Sequence, residues 1–325
     1  MDKLRKIKTI RIRQLRAEFP TDPLLKKLIV IFLLVFVSQL FILNSLFPIE
    51  KVNWIPPPLK IPFPSKPTTI QDRFEYSFKD VQAQINEELI TKIKAQINPP
   101  PGKVGEPLEL LDLSGREYAL FIDKIIYRVN EILSYKRNRF FVEYGAWDGS
   151  SYSNELYFER MRGFKGLIIE PDPRIFQWLL HLRRNAWIIN SGVSIHPTEK
   201  QCEFFRLNDY GRRVMKDFSK HLSNEDKNGL DSFNATCFPL TSILLAINQT
   251  TIDLLILDME GASLNILKTI AWDKFNINVI LVIEGPNHND KEESLEKCMI
   301  KQGFLTRGII QEPFSNAHIF QNTRL

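Results

Sequence analysis

Hydrophobic and polar positions along the chain fall into three regimes. Residues 28–47, LIVIFLLVFVSQLFILNSLF, run for 20 positions without a charge. At ~1.5 Å rise per helical residue this run matches the ~30 Å hydrocarbon core of a bilayer. Farther on, Val81, Ile85, Leu89, Ile93 and Ile97 recur every four residues, with Ser77 placed to cap and Pro99-Pro100-Pro101 to stop. That spacing predicts one amphipathic helix, which packs on a folded domain in preference to a partner. From residue 116 short apolar runs alternate with helical spacing. Helices are predicted over residues 116–133, from Ser153, over 174–184, 241–247, 263–270 and 292–302. Strands are predicted over residues 140–144, 167–169, 186–191, 252–257, 279–283, 306–311 and 317–321, with an irregular charged stretch before Thr241. Near-continuous apolar strands alternating with helices predict an α/β, doubly wound, mostly parallel sheet covered on both faces. Such sheets take ligands at the carboxyl ends of their strands.

Composition narrows the class. With 44% hydrophobic and 25% charged residues in 325, wholesale disorder is excluded, and 14 glycines exclude a collagen-like chain. The net charge of +5 is local: nine Lys/Arg against three acids give residues 1–27 a charge of +6, leaving −1 for the rest. A near-neutral folded part argues against a nucleic-acid partner. A secretory signal peptide fits poorly, because the apolar run is long and no small-x-small cleavage site precedes Pro48. The basic flank upstream predicts a cytosolic N-terminus and a luminal or extracellular remainder, a type II topology. Seven prolines in residues 48–67 read as an extended stem. The predicted organisation is a basic tail (1–27), a signal anchor (28–47), a stem (48–76), the amphipathic helix with its connector (77–115) and the α/β domain (116–325).

Two sequons, Asn234-Ala235-Thr236 and Asn248-Gln249-Thr250, fit a luminal domain and mark Asn234 and Asn248 as glycosylation candidates. Cys202, Cys237 and Cys298 allow one disulfide in an oxidising lumen, the pair being open. No CxxC or HxxH spacing occurs among them and the five histidines, so no metal site is expected.

Polar residues cluster where the predicted strands end. The first ends in Glu143-Tyr144-Gly145-Ala146-Trp147-Asp148-Gly149. Its glycines permit a tight turn close to a ligand, and Glu143 and Asp148 can accept hydrogen bonds from cationic or hydroxyl groups. The second ends in Glu170-Pro171-Asp172, an acid 27 residues after Glu143, where doubly wound folds bind a ribose diol. Asp172 also suits a helix N-terminus. The fourth ends in Asp258-Met259-Glu260-Gly261, where either acid can orient an acceptor hydroxyl or take its proton. His288, after the fifth strand, is the histidine best placed for acid–base work.

At these residues the chain resembles the FkbM-type methyltransferase domain. The resemblance is carried by VEYGAWDGSSYSNELYFER, GFKGLIIEPDP, the Leu240-Thr241 helix start and IDLLILDMEGASLNILKTI, over roughly residues 135–310. It implies the S-adenosylmethionine-dependent methyltransferase fold, whose last strand is antiparallel. It also implies cofactor contacts from Glu143, Gly145, Gly149 and Glu170, with Asp258 and Glu260 near the acceptor; by their position alone Asp148 and Asp172 join the cofactor candidates and His288 the catalytic ones. Three residues depart from the family pattern: Trp147, Ile256 and Ser263. The SNELYFER segment and the anchor most resemble the Star-like type II membrane proteins of animals, which implies the endoplasmic reticulum or Golgi, with endosome or plasma membrane as further stations.

Two functions follow as expectations. One is a luminal methyltransferase that uses S-adenosylmethionine on a hydroxyl of a glycan or lipid. The other is an inactive fold of the same kind, reused in trafficking or export of membrane-bound signalling ligands. Partners in either case are the lipid bilayer and a glycan, lipid or protein cargo, with no nucleic acid.

Overall fold

A computed structural model describes residues 78–101, 118–146, 149, 153–206, 213–221, 230–259, 261–285, 289–312 and 315–324. The predicted anchor, residues 28–47, lies outside these. Among the described residues no helix is long and apolar enough to cross a membrane.

The first elements correct the sequence expectation. The repeat from Val81 to Ile97 forms two helices, α1 (Phe78–Gln84) and α2 (Glu87–Lys94). The break falls at Asn86, whose backbone is extended and whose side-chain Oδ1 accepts the Leu89 N–H at 3.0 Å, restarting the helix. Both pack on the domain: Gln84 Nε2 donates to Thr269 O (3.1 Å), Ser242 Oγ donates to Gln84 O (2.6 Å), and Ile93 is in the core.

The main sheet follows as expected. Its strands are β1 (Phe140–Tyr144), β2 (Lys165–Ile169), β3 (Ala186–Ile189), β8 (Thr251–Leu257), β9 (Asn276–Glu284), β10 (Phe304–Glu312) and β11 (Ser315–Asn322). Seven strands lie in the order β3-β2-β1-β8-β9-β11-β10. β3, β2, β1, β8 and β9 pair in parallel, and β11 alone runs antiparallel to both its neighbours, as predicted for the last strand. Asn98 closes a bridge to Ile188 (N–O 2.8 and 2.9 Å), covering the free edge at β3.

Strand alternation sorts the core into two layers. Val142, Tyr144, Leu255 and Leu257 face α6 (Leu240–Ala246), α7 (Ser263–Thr269) and α8 (Asn289–Lys301). Phe141, Ile168, Leu254 and Ile256 face α3 (Tyr118–Ile132), α4 (Asn154–Arg162) and α5 (Pro173–His181). The predicted helix over residues 174–184 stops at His181, because Arg183 takes φ +49° and turns the chain into β3.

The stretch read as irregular is a second sheet. It holds β4 (Gly192–Val193), β5 (Lys200–Arg206), β6 (Arg213–Met215) and β7 (Ser232–Phe238), in the order β4-β7-β5-β6. A disulfide joins Cys202 to Cys237 across β5 and β7, with Cα atoms 6.2 Å apart. Charged residues on its solvent face mask the alternation that would announce it. The described residues belong to one compact unit, Ser65–Leu325, with its own core.

Candidate functional site

The chain reverses sharply where β1 ends. Gly145 takes φ +92° and donates its N–H to Ile169 O (3.1 Å), while Asp258 N–H reaches Tyr144 O (2.9 Å). A Cβ added at Gly145 would sit 2.3 Å from the Asp258 carbonyl oxygen, so only glycine lets β1 and β8 end this close together. Gly149, at φ +64°, closes the turn by donating to Ala146 O at 2.7 Å.

Period two puts Glu143 on the same layer as Phe141, beneath α4. There it meets Glu155, and Arg184 lies with them. Arg184, the largest fully buried side chain, donates to Glu159 Oε2 (2.7 Å), Glu155 Oε1 (3.0 Å) and the Gly149 carbonyl (2.7 Å). Ser153 caps α4 through Leu156 N–H and also donates to Glu155. Burial pushes the Glu143 carboxyl well above the usual range, and the neighbouring Glu155 and Asp258 charges push it the same way. Burial acts likewise on Glu155, but the hydrogen bond from Glu143 and the Arg184 charge outweigh it and hold Glu155 low. Of the two, Glu143 therefore holds a proton the more readily and Glu155 is the readier carboxylate. Burial alone would lower the Arg184 pKa; Glu159, Glu155 and Glu143 raise it instead.

Glu170 ties two turns together: Oε2 accepts Ala146 N–H (3.1 Å) and Oε1 accepts Asp172 N–H (2.7 Å). Asp172 caps α5, accepting Arg174 N–H at 2.9 Å with Pro173 in the first turn. Its carboxylate is gripped by Arg206 of β5 (2.6 and 3.1 Å), which also reaches Asp231 (2.8 Å) and lies over the Phe233 ring. Asn190 Nδ2 donates to the Glu170 and Pro171 carbonyls (2.8 and 3.1 Å). The second sheet is thereby fastened to the carboxyl end of β2.

The structure thus gathers Glu143, Gly145, Gly149, Glu170, Asp172 and Asp258 at the carboxyl ends of β1, β2 and β8. Asp148, Glu260 and His288 lie outside the described residues. Asn234, on β7, and Asn248, after α6, are exposed. Ile256 points into the α3–α5 layer rather than toward a ligand. Among the described residues no group of three or more His, Cys, Asp and Glu is placed to hold a metal. A cavity of about 170 Å³ lies at the β3 edge beside Asn98, Leu180 and Ile188, with Arg184 in its lining.

Sequence reasoning missed Arg184, Glu155, Glu159 and Arg206. One signal existed: Glu155 and Glu159 stand four apart on a helix whose other inward residues are apolar, and two buried acids demand a cation. Arg184 itself reads locally as an ordinary helix-end residue beside Arg183.

Strand order 3-2-1-4-5-6, with an antiparallel strand inserted before the last, defines a Rossmann-like α/β fold that binds at its strand ends. The chain belongs to the methyltransferase FkbM domain family, whose sequence profile matches residues 143–312, just over half its length. Among solved structures it is similar to M. capricolum TrmK in complex with S-adenosyl-homocysteine (10% identity, 61% of this chain and 68% of that one, TM-score 0.34). It is also similar to a precorrin-6y C5,15-methyltransferase from Geobacter metallireducens (8%, 62% and 88%, TM-score 0.35). A third is magnesium protoporphyrin IX methyltransferase from Synechocystis with bound SAM (10%, 64% and 80%, TM-score 0.34). No curated protein matches the chain in sequence.

Proposed function

We propose that the domain binds S-adenosylmethionine and methylates a hydroxyl acceptor. The observation that carries this is a set of buried polar atoms without partners at the strand ends. Ser191 Oγ, after β3, and Ser263 Oγ, after β8, are fully buried and bonded to nothing among the described residues. Each such group in a native structure calls for an explanation, and a ligand bound at the strand ends supplies one for both. The donor set fits the cofactor: carboxyl groups on Glu143, Glu170 and Asp258 complement an ammonium, a ribose diol and a sulfonium.

S-adenosylmethionine, when bound, supplies an electrophilic methyl group on a sulfonium. The chain's own residues do the rest. Glu143 carries a proton that it gives up when a cationic group settles beside it. Half-buried Asp258, at the end of β8, accepts the acceptor hydroxyl's proton as the oxygen–carbon bond forms. The pinch at Gly145 holds the ends of β1 and β8 together so that Glu143 and Asp258 keep their geometry.

A second reading rests on Glu170. It is completely buried, and both its oxygens already accept backbone N–H groups, so a ribose diol has to share or displace those bonds. That favours a Star-like trafficking or export factor that keeps the fold without the chemistry. Calorimetry of residues 65–325 with S-adenosylmethionine separates the two. The enzyme reading expects micromolar binding that weakens at least tenfold in Glu170→Ala, with folding checked by thermal melt. No heat at high micromolar cofactor from a folded sample sinks it and leaves the trafficking reading.

We also infer a type II membrane protein of the secretory pathway, anchored by residues 28–47. The Cys202–Cys237 disulfide supports an oxidising lumen, and the exposed Asn234 and Asn248 support access to glycosylation. Expressed in secretory cells, the chain should lose mass on glycosidase treatment, and the Asn234→Gln/Asn248→Gln variant should not. An unglycosylated wild type would reverse the orientation.

A further inference from the structure

The amino-terminal ends of the parallel strands, opposite the site, carry charge of one sign. Three turns meet there, before β1, β2 and β3. Asn138 N–H donates to Arg162 O (2.9 Å), Lys165 N–H to Arg139 O (2.9 Å) and Gly166 N–H to Asn185 O (3.3 Å). Lys136, Arg137, Arg139, Arg160, Lys165 and Arg183 are exposed on these turns and on the helix ends that feed them.

The helices do not account for so many cations. α3, α4 and α5 all end here, and at about −0.5 for each carboxyl-terminal dipole they supply roughly −1.5 in total. Among the described residues the nearby acids add little. Asp253 is 9% exposed, lies 3.9 Å from Arg139 and accepts the Phe140 N–H. Glu131 pairs with Arg128, and Glu159 with Arg184. Lys136, Arg137 and Lys165 enter no ion pair among the described residues. Strands β1, β2 and β3 are adjacent, so at ~4.8 Å per strand the row of turns spans roughly 10 Å before side-chain reach is added. That is a strip, too wide for one small anion and suited to charges repeated along a chain.

Aromatic rings border the strip. Tyr127 is 63% exposed and the neighbouring Tyr135 46%. Arg162 lies over the Tyr135 ring at 5.3 Å. The turn that carries Tyr135 is fixed by its own bonds, Tyr135 N–H to Asn130 O (2.8 Å) and Lys136 N–H to Leu133 O (3.1 Å). Rings and cations are therefore presented without a loop having to order on binding, which removes one cost of association.

We propose that this surface binds a linear acidic polysaccharide. Sulfate or carboxylate groups meet the cations in charge-assisted hydrogen bonds, and a sugar ring lies against the exposed tyrosines. Nucleic acid would meet the same cations. The Cys202–Cys237 disulfide favours the oxidising lumen proposed above, where the polyanions within reach are glycans. The choice of polymer rests on that luminal reading, which the glycosidase experiment tests separately; the surface itself needs neither the anchor nor methyl transfer. Because the site opens at the other end of the same strands, the bound chain is a tether and not the methyl acceptor.

Two measurements test it. Residues 65–325 are titrated with a fluorescent heparin octasaccharide, and micromolar binding that weakens steeply as salt rises is expected. Lys136→Glu/Arg137→Glu/Lys165→Glu should weaken it about thirtyfold, from roughly threefold for each exposed pair lost. Tyr135→Ala should weaken it about threefold, the share of one ring contact. All four side chains are exposed, so both variants should melt with the wild type. A dT oligomer of equal charge should bind no more tightly than the octasaccharide. Amide exchange in the complex should slow in peptides covering 134–139 and 160–165 and stay unchanged at 144–149. No cofactor is needed, so a failed S-adenosylmethionine titration leaves the proposal standing. No binding at high micromolar octasaccharide, a triple variant that binds like the wild type, or protection away from these turns overturns it. A dT oligomer that binds more tightly also overturns it and assigns the surface to nucleic acid.

Discussion

Replacing Arg184 by methionine is expected to lower the unfolding free energy of residues 65–325 by about 3–5 kcal/mol. Arg184 is the buried cation shared by Glu155 and Glu159, and it also faces Glu143. Removing it leaves two carboxylates in a place that water does not reach. The Gly149 carbonyl loses its donor as well, so the turn after β1 loosens. Denaturant midpoints measure the loss. Adding Glu155→Leu and Glu159→Leu to Arg184→Met should recover most of it, because an apolar trio of similar volume has no charge to compensate. A single-variant loss under about 1 kcal/mol would mean that the cluster is solvated and the site's floor is not built as described.

Gly145→Ala should cost nearly as much, about 3 kcal/mol, and should weaken cofactor binding beyond that. The left-handed backbone at φ +92° contributes roughly 1–2 kcal/mol of strain. The remainder is steric, since the new methyl would lie 2.3 Å from a backbone oxygen of Asp258 and neither strand end is free to retreat. β1 and β8 pair in parallel over four residues up to that point, so relief must splay them and carry Asp258 away from Glu143. Gly149→Ala is the informative contrast. Its methyl would meet the Leu179 Cδ2 atom at 2.1 Å, which a side-chain rotation can partly relieve. If Gly145→Ala melts with the wild type and binds S-adenosylmethionine as well, the close approach of the two strands has no part in the site.

The main sheet was legible because its strands carry their own evidence. A run such as Ile252–Leu257 is apolar on both faces, and only a sheet covered on both sides buries such a run. Positions of acids at strand ends were legible for the same reason: a carboxylate directly after a buried run has to face a cleft or a partner. The second sheet was not legible. β5 reads Lys-Gln-Cys-Glu-Phe-Phe-Arg, with charges where a half-exposed strand meets water, and its pairing partner β7 lies some 30 residues on. The split between α1 and α2 was missed because the apolar repeat continues through Asn86, whose capping bond depends on local backbone geometry.

By itself, then, the sequence determined the alternation of strands and helices, the acids that end β1, β2 and β8, and the uncharged run ahead of the domain. Each of these is a short-range pattern, set by which neighbours are apolar. Only the tertiary structure decided what those acids do. It placed Glu143 against Glu155 so that the two carboxyl groups pull each other's proton affinity apart, turned Asp172 toward Arg206 rather than outward, and buried Arg184 where its sequence neighbours announce an exposed helix end. The physical reason is distance. Charges interact over a few ångströms, and residues 143, 155, 159 and 184 come within that range only after three strands and two helices have packed.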